Sequence, residues 1–465
     1  MSHSSRFPPT AQAWYMVAIL FLAYTFSGID RQILTLMVEP VQADLQLTDF
    51  EISLLQGLAF SLLFVFVGVP VARLSDRKSR RSIIAVGITF WCCMTVLCGL
   101  SKNFWQLFLA RMGVGVGEAS LSPAAASLIA DSFPPARRAM AFSVYHLGYP
   151  VGGGLALVIG GAVLDWLSGI DSVTLGPLGD FRSWQLAFII VGLPGLLVAL
   201  LMYSFRDPAR QEKLRDDESQ QLSFAEIGHH IRGSWQAYTA HLSAVAFLGM
   251  LAMGTSIWYP TFLIRTYGFS PSDAGYSYGL ILGVCGAAGI LSGGWLSGLL
   301  ALRGYGDANL RVMWLAAALK ALPLVLGPLM PTAYQALLLM AVATYLGQVS
   351  VGVTTAALME ITPNEIRAQM LAVMMLLVNI CGLGLGATLI ATITDFVFGD
   401  PQALRYSISL ASAAITPCII VLLWWGMPHF RLAARRVAGA PSATEEELNL
   451  GTQTNEGKKH AQATT

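Results

Sequence analysis

The chain has 465 residues, of which 55% are hydrophobic and 12% are charged, and its formal net charge is +1. Soluble domains carry about a quarter of their residues as charged ones, so this composition excludes an ordinary soluble protein and predicts an integral membrane protein. It also excludes a nucleic-acid partner, which would require a strongly basic surface. All six cysteines fall in apolar segments without metal-ligand spacing, so we expect free thiols, no metal site and no cofactor.

A membrane-spanning helix needs about 20 apolar residues, and the hydropathy pattern predicts twelve such helices. The first apolar run is too long for a signal peptide, so we expect it to remain in the mature protein. The predicted fold class is therefore an all-α membrane protein. The predicted spans cover residues 13–38, 51–72, 82–100, 104–131, 139–164, 185–205, 237–264, 273–300, 311–330, 333–359, 367–394 and 404–427.

The loops between the predicted spans differ in their basic residues. One set of loops holds most of the arginines and lysines, whereas the opposite set holds only Lys102, Arg182, Arg265 and Arg405. Basic loops are retained on the cytoplasmic side of a membrane. Because the number of spans is even, both termini are predicted to be cytoplasmic.

One long charged segment divides the predicted spans six and six. We predict a cytoplasmic N-terminus at 1–12, a six-helix bundle at 13–205, a cytoplasmic linker at 206–236, a second bundle at 237–427 and a disordered cytoplasmic tail at 428–465. The second part of the linker mixes apolar and polar residues. It is predicted either as solvated chain or as a helix in the membrane interface.

An internal repeat supports this division. An acid, a proline and an arginine recur with the same spacing 229 residues later, as Asp131, Pro134 and Arg138 and then as Glu360, Pro363 and Arg367. Parallel six-helix repeats place a binding site between the two halves, near the middle of the membrane. The alternative is that any two helix junctions share a proline and an arginine.

Four charged residues lie well inside the first and fourth predicted spans, where a charge costs about 2.5–3.5 kcal/mol and usually serves a function. Arg111 and Glu118 are seven residues apart, so both side chains leave the same face of the fourth helix. Asp30 lies at a depth similar to that of Arg111, which predicts an Asp30–Arg111 pair. Arg31 is expected about 100° away on its helix, and Glu118 is left without a cation nearby.

These positions predict a mechanism. Glu118, buried without a partner, is expected to carry a proton, whereas Asp30 beside an arginine stays ionised. Arg111 and Arg31 are expected to bind an anionic substrate, because a guanidinium donates two parallel hydrogen bonds to a phosphate. Movement of Arg111 between the two carboxylates and the substrate would couple proton and substrate movement. The alternative is a static network that holds the first and fourth helices together.

Three further polar residues in the spans are candidates for the wall of a substrate cavity. They are Gln56 on the second helix, His146 on the fifth and Asn379 on the eleventh. A lone histidine among apolar residues is more often packed and hydrogen-bonded than functional. The sequence has no nucleophile–base–acid set and no phosphate-cradling loop after a strand, so no enzyme activity and no catalytic residue are predicted.

The loop after the second span reads Arg73-Leu-Ser-Asp76-Arg77-Lys-Ser-Arg80-Arg81, and the fourth helix contains Arg111-x-x-x-Gly115-x-Gly117. Both patterns resemble signatures of the major facilitator superfamily of secondary transporters. That fold consists of twelve helices in two pseudo-symmetric six-helix bundles. The resemblance implies that Asp76 latches the cytoplasmic side of the two halves. By position, the predicted gate also includes Arg77, Arg80, Arg81, Asp131, Arg137 and Arg138.

Three further patterns are more specific. They are Asp30-Arg31 in the first helix, Gly-Glu118-Ala in the fourth and Asp131-Ser-Phe-Pro-Pro at its end. Together they resemble the Spinster family, whose members export lysophospholipids and sphingosine-1-phosphate. The resemblance implies proton-coupled transport of a lysolipid-like amphiphile by alternating access, with protons and membrane lipids as partners. Short loops and a compact tail favour a bacterial member in the inner membrane.

Two alternatives stay open. An Asp-Arg pair in the first helix also occurs in organic-acid importers of the superfamily, which predicts a proton symporter for a small organic or sugar acid. A non-transporting membrane sensor is the alternative of another class, although the linker and tail contain no evident signalling domain. The residues do not indicate the direction of transport or the oligomeric state.

Overall fold

The part of the protein that the structure describes is almost entirely helical. Lipid offers no hydrogen-bond partners to the backbone, so a spanning segment that is not part of a closed barrel must pair its backbone polar groups within itself, as a helix does. The structure is a computed structural model that describes residues 7–75, 78–167, 172–174, 180–208, 231–363 and 366–437. A short antiparallel hairpin, β1 Ser172–Thr174 and β2 Asp180–Arg182, lies between the fifth and sixth spans.

The first half of the chain forms one bundle. The predicted second span consists of two helices, Asp49–Ser53 and Ala59–Ser75, joined without a break by a π turn, Leu54–Leu58. The helices are α1 Thr10–Gln32, α2 Val38–Leu45, α3 Asp49–Ser53, α4 Ala59–Ser75, α5 Arg80–Gly99, α6 Phe104–Glu118, α7 Leu121–Ser132, α8 Pro135–Trp166, α9 Ser183–Gly192 and α10 Gly195–Leu201.

The second half forms the other bundle, and two of its spans contain three π turns among the described residues, Ile281–Cys285, Val378–Leu385 and Ile393–Phe398. The helices are α11 Trp235–Tyr267, α12 Pro271–Leu280, α13 Gly286–Leu302, α14 Ala308–Leu326, α15 Ala333–Glu360, α16 Arg367–Leu377, α17 Gly386–Thr392 and α18 Leu404–Val437.

Among the described residues, 11 helical stretches are long and apolar enough to cross a membrane. The remaining predicted span, 104–131, is present as α6 and α7, which are separated only by Ala119 and Ser120. Pro123 explains the interruption, because a proline lacks the N–H that would bond to the carbonyl four residues earlier and its ring clashes with that carbonyl. The prediction of twelve spans is therefore confirmed, with one span broken near its middle.

The last helix differs from its prediction. It continues to Val437 instead of ending at residue 427, so residues 428–437 are helical and not disordered. Phe430 and Ala433 are buried in this extension while Arg431 is exposed, which is the spacing of an amphipathic helix packed on the bundle. The predicted interfacial helix of the linker falls largely on residues 209–230, and the rest of the tail on 438–465, both outside the described residues.

The two halves meet along closely packed seams. A Cβ atom added at Gly57 would lie 2.2 Å from the carbonyl oxygen of Leu383, and one at Gly275 would lie 2.4 Å from that of Leu157. Small residues let backbones approach in this way where lipid provides no hydrophobic drive. These glycines therefore set how closely the halves can pack.

An arginine joins the halves at one end of the molecule, which we call the Arg265 end. Arg265, near the end of α11, lies within 2.6 Å of Glu39 and 2.7 Å of Asp49 in the first half, and its guanidinium also donates to the amide oxygen of Gln42 at 2.8 Å. The Arg265 side chain is only 5% exposed. The linker connects α10 to α11 at the opposite end of α11, which we call the linker end.

Matched hydrogen bonds confirm the internal repeat. The Nε atom of Arg138 donates to the carbonyl of Phe133 at 3.0 Å, and the Nε atom of Arg367 donates to the carbonyl of Thr362 at 3.0 Å. Each residue of the second pair lies 229 positions after its counterpart. The proline–arginine spacing therefore builds the same helix junction in both halves.

Candidate functional site

A small cavity lies between the two halves, beside the last turn of α1 and the π turn of the second span. Its volume is about 20 Å³, which is room for about one water molecule. The first half contributes Arg31, Gln32, Gln56, Phe60 and Tyr149 to its wall, and the second half contributes Met253, Ser256, Ile257 and Leu383. The wall thus combines one cation, two amides, two hydroxyl groups and an apolar remainder.

The cation of this wall is held by Glu118. The Nε atom of Arg31 lies 2.7 Å from Glu118 Oε2, and the hydroxyl of Ser27 donates to the same oxygen at 2.6 Å. The Glu118 side chain is fully buried, whereas 14% of the Arg31 side chain is exposed. The prediction that Glu118 has no cation nearby is therefore wrong, because Arg31 turns toward α6 instead of away from it.

Local structure explains this pairing. Ser27 and Arg31 are four residues apart on α1, so both face α6. Glu118 is the last residue of α6, at the negative end of the helix dipole, where a carboxylate is disfavoured unless a cation offsets it. The other carboxylate oxygen of Glu118, Oε1, is buried and has no hydrogen-bond partner among the described residues.

Aromatic rings surround the Arg31 guanidinium. Its central carbon lies 4.4 Å from the ring centroid of Phe60, 5.0 Å from that of Phe64 and 5.5 Å from that of Tyr149. Cation–π contact of this kind favours arginine over lysine, because the guanidinium plane stacks on rings. The rings hold the guanidinium in place between Glu118 and the cavity.

Arg111 occupies a different place. Its Nη1 atom donates to the backbone carbonyl of Asp30 at 3.0 Å and its Nε atom to that of Leu55 at 3.4 Å. Only 1% of Arg111 is exposed. The predicted Asp30–Arg111 contact thus involves the Asp30 backbone, and within the described part of the chain the Asp30 carboxylate forms no ion pair. Arg111 ties α1 to the π turn of the second span, and its predicted role in substrate binding stays a prediction.

Gln56 is part of the cavity wall, whereas the other two candidates, His146 and Asn379, lie outside it. The imidazole of His146 is exposed and packs beside Tyr24, with ring centroids 6.0 Å apart. The Asn379 amide donates to the carbonyl of Met375, on its own helix, at 2.8 Å. Both residues therefore remain candidates only for another conformation.

The predicted gate forms an ionic cluster within the first half. Arg80 is 2% exposed; it pairs with Asp131 and lies 2.8 Å from Asp207, which follows the sixth span. Arg81 donates to the carbonyl of Phe205 at 2.6 Å. Arg137 is exposed, and Arg138 closes the helix junction described above. Asp76 and Arg77 lie outside the described residues.

The second half contains the counterpart of the Arg80–Asp131 contact. Asn309 donates to Glu360 at 2.7 Å, and these residues lie 229 positions after Arg80 and Asp131. The repeat offset found in the sequence could have located Asn309. An amide replaces the guanidinium, so the second half keeps the hydrogen bond without the ion pair.

Sequence reasoning missed three groups of residues in and around the site. Ser27 was identifiable, since it precedes Arg31 by one helical turn. Gln32 and Ser256, which hydrogen-bond across the halves at 3.2 Å, gave no signal, because polar residues of this kind are common in spans. Arg265 stood out only as one of a few basic residues in its set of loops.

Comparison with known proteins places this architecture in a family. The model of the Major Facilitator Superfamily matches residues 20–387, so the chain belongs to this superfamily of transporters. An MFS-type efflux pump of Mycolicibacterium smegmatis is 27% identical over 92% of this chain and 96% of that protein. This membership confirms the prediction of a transporter and not an enzyme.

Within the superfamily, the chain is similar to Spinster proteins. Protein spinster homolog 1 of Xenopus tropicalis is 30% identical over 60% of this chain and 53% of that protein, so the match spans about half of that relative. The crystal structure of a bacterial homolog to the human lysosomal transporter Spinster, in an inward-facing and unoccupied conformation, has a TM-score of 0.76 at 26% identity, covering 94% of this chain and all of that one. The predicted Spinster resemblance is confirmed.

Proposed function

We propose that this protein is a proton-coupled secondary transporter that moves anionic lysolipid-like amphiphiles by alternating access. The observation that carries the proposal is the Arg31–Glu118 pair, whose cation borders the cavity between the halves and whose acid is buried behind it. The similarity to Spinster proteins supports a lipid-like substrate. The apolar wall residues Met253, Ile257 and Leu383 suit an acyl chain next to a charged headgroup.

Coupling follows from competition for Arg31. When Glu118 is ionised it holds the guanidinium, and a buried ion pair of this kind is costly to break. A proton bound to Glu118 removes the negative charge and frees Arg31 to bind an anionic headgroup. When the substrate leaves, Arg31 returns to Glu118 and the proton is released. One proton is thus taken up for each substrate bound, and Ser27 keeps the acid in place throughout.

The alternating movement is proposed to centre on the seams between the halves. The Arg265 cluster joins the halves at one end, and we propose that this end faces away from the cytoplasm, as the distribution of basic loops predicts. In this conformation the cavity would then communicate with the cytoplasm through the linker end. The cluster around Arg80, Asp131 and Asp207 would stabilise the first half while it moves as a unit.

Proteoliposome flux of a lysophospholipid, with and without an imposed pH gradient, tests this proposal. Glu118→Gln places a neutral amide where the protonated acid would be, so we expect flux that no longer responds to the gradient while lysophospholipid binding persists. Asp44→Asn is the matched control, because it neutralises a carboxylate that pairs with Arg182, 3.3 Å away, outside the cavity wall. Gradient-dependent flux in Glu118→Gln equal to that of the wild type would exclude Glu118 as the proton carrier.

The same assay separates the alternatives. Gradient-driven uptake of a sugar acid such as gluconate, without competition by lysophospholipid, would replace the lipid substrate by a small organic acid and leave the Arg31–Glu118 exchange in place. Absence of flux for both classes from a folded, correctly inserted protein would favour the non-transporting sensor.

A further inference from the structure

A buried amide on the cavity wall has no role in the exchange proposed for Arg31 and Glu118. Gln56 is 5% exposed and borders the cavity. Neither its oxygen Oε1 nor its nitrogen Nε2 has a hydrogen-bond partner among the described residues. Burial of an amide without partners is costly, and nearly all buried polar groups in proteins are paired. Gln56 is therefore a group that a ligand can satisfy.

The backbone around Gln56 is fixed on both sides. The residue lies in the π turn Leu54–Leu58, and such turns occur frequently at functional sites. On one side, the carbonyl of Leu55 accepts a hydrogen bond from Arg111. On the other, Gly57 packs against the carbonyl of Leu383 so closely that a Cβ atom would overlap it. The widened turn thus holds the amide at the cavity between two anchored neighbours.

The neighbours of Gln56 define the chemistry of a ligand. Arg31 supplies the one cation of the cavity wall and would hold an anionic group. Gln56 supplies both a donor and an acceptor, as do the amide of Gln32 and the hydroxyl of Ser256 on the facing wall. A hydroxyl group also donates and accepts. The wall therefore matches an anion that carries a hydroxyl group close to its charge.

We propose that Gln56 is a specificity-determining residue that hydrogen-bonds a hydroxyl group next to the anionic group held by Arg31. This inference rests on the proposed function in one respect, that the ligand enters this cavity. Two sources share the chemistry: the glycerol hydroxyl of a lysophospholipid and the 2-hydroxyl of a sugar acid. The present cavity admits about one water, so the ligand binds when the halves move apart.

A cycle of protein and ligand changes tests the proposal. The lipid pair is oleoyl lysophosphatidic acid and its analogue without the glycerol hydroxyl, and the acid pair is gluconate and 2-deoxygluconate. We expect the wild type to bind the hydroxyl-bearing member of one pair about tenfold more tightly, the effect of one buried hydrogen bond. Gln56→Leu should bind both members of that pair equally.

A matched glutamine provides the control. Gln185 is also buried, but its amide donates to the carbonyl of Ser101 at 3.0 Å and accepts from the backbone of Arg182 at 2.9 Å, away from the cavity wall. Gln185→Leu should lower the melting temperature of the ligand-free protein and keep the tenfold discrimination. Gln56→Leu should melt at or above the wild-type temperature, because it removes an unpaired buried amide.

The outcomes separate the proposals. Discrimination confined to the lipid pair assigns the hydroxyl to a lysolipid headgroup, and discrimination confined to the acid pair assigns it to a small hydroxy acid. Discrimination that survives in Gln56→Leu, or equal weakening of both members together with a lower melting temperature, overturns the role of Gln56. A discriminating wild type whose flux ignores the pH gradient would leave the role of Gln56 intact and overturn the proton coupling. A wild type that binds neither pair overturns both.

Discussion

The two central arginines occupy different environments although both lie in the first half. Arg31 borders the cavity and is surrounded by aromatic side chains, whereas Arg111 donates hydrogen bonds to the backbone carbonyls of Asp30 and Leu55. A guanidinium that borders a cavity can bind a ligand, but a guanidinium that donates to buried backbone carbonyls holds helices together. At the scale of single residues, Arg31 is thus the better candidate for contact with substrate, and Arg111 for a positioning residue.

Substitution of each arginine should separate these roles. Arg31→Gln should weaken binding of an anionic lysophospholipid at least tenfold and leave a neutral monoacylglycerol of the same chain length nearly unaffected, because a charge-assisted hydrogen bond is lost. The measurement is equilibrium binding of both ligands in nanodiscs. Arg111→Gln is the control: it should weaken both ligands alike and lower the melting temperature, since each buried carbonyl left unpaired costs about 1–3 kcal/mol. A selective loss of the anionic ligand in Arg111→Gln would restore Arg111 to the substrate site.

At the scale of elements, the irregular turns lie where the halves meet. The π turns of the second span, Leu54–Leu58, and of the eleventh, Val378–Leu385, face each other, with Gly57 against the carbonyl of Leu383. The fourth span breaks beside the buried Glu118. The π turns thus lie where the backbones of the two halves approach each other closely, and the break in the fourth span lies where a carboxylate is buried.

Replacement of Gly57 tests the importance of the seam. In Gly57→Ala the new Cβ atom would lie 2.2 Å from a carbonyl oxygen, so the halves must move apart and the conformation described here should lose population. Gly68→Ala on the same span is the matched control, because no atom lies within 4 Å of its Cβ position. The measurement is the distance between spin labels at Ala43 and Gln402, which are both exposed. Equal distance distributions in the two variants would mean that this seam does not limit the movement of the halves.

At the scale of the whole molecule, two kinds of contact join the halves. Polar side chains meet at the Arg265 end, and small residues pack closely along the seams. Arg265 satisfies its donors with two carboxylates, a side-chain amide and the carbonyl of Pro401. All these partners except Pro401 lie in the first half, so opening at this end must break the cluster. The closed end thus depends strongly on one side chain.

Arg265→Gln should therefore shift the conformational equilibrium. Removal of one partner from a buried charge pair costs about 2–5 kcal/mol, which destabilises only the conformation closed at the Arg265 end and should raise the population of the opposite conformation more than tenfold. The same pair of spin labels reports the change as a longer distance. Arg311→Gln is the control, since Arg311 pairs with Asp307 within one half, 2.6 Å away. An unchanged distance in Arg265→Gln would show that the cluster does not hold this end closed.

The sequence by itself determined the membrane class, the twelve spans, the internal repeat and the Spinster resemblance. These features depend on local or strictly periodic information: runs of about 20 apolar residues fix spans, and a repeated proline–arginine spacing builds the same junction twice. The charged residues Asp30, Arg31, Arg111 and Glu118 were found for the same reason, because a charge inside an apolar run is conspicuous and costly.

Only the tertiary structure decided which charged side chains form ion pairs with each other. Depth along two helices predicted Asp30 with Arg111, but rotation about each helix axis and the bend after Glu118 bring Arg31 to Glu118 and leave Arg111 to the backbone. The roles of Gln56 and Arg265 likewise depend on residues in the other half, about 200 or more positions away in the chain. Pairing of this kind depends on helix rotation and on side-chain direction across an interface, which the spacing of residues along one helix does not contain.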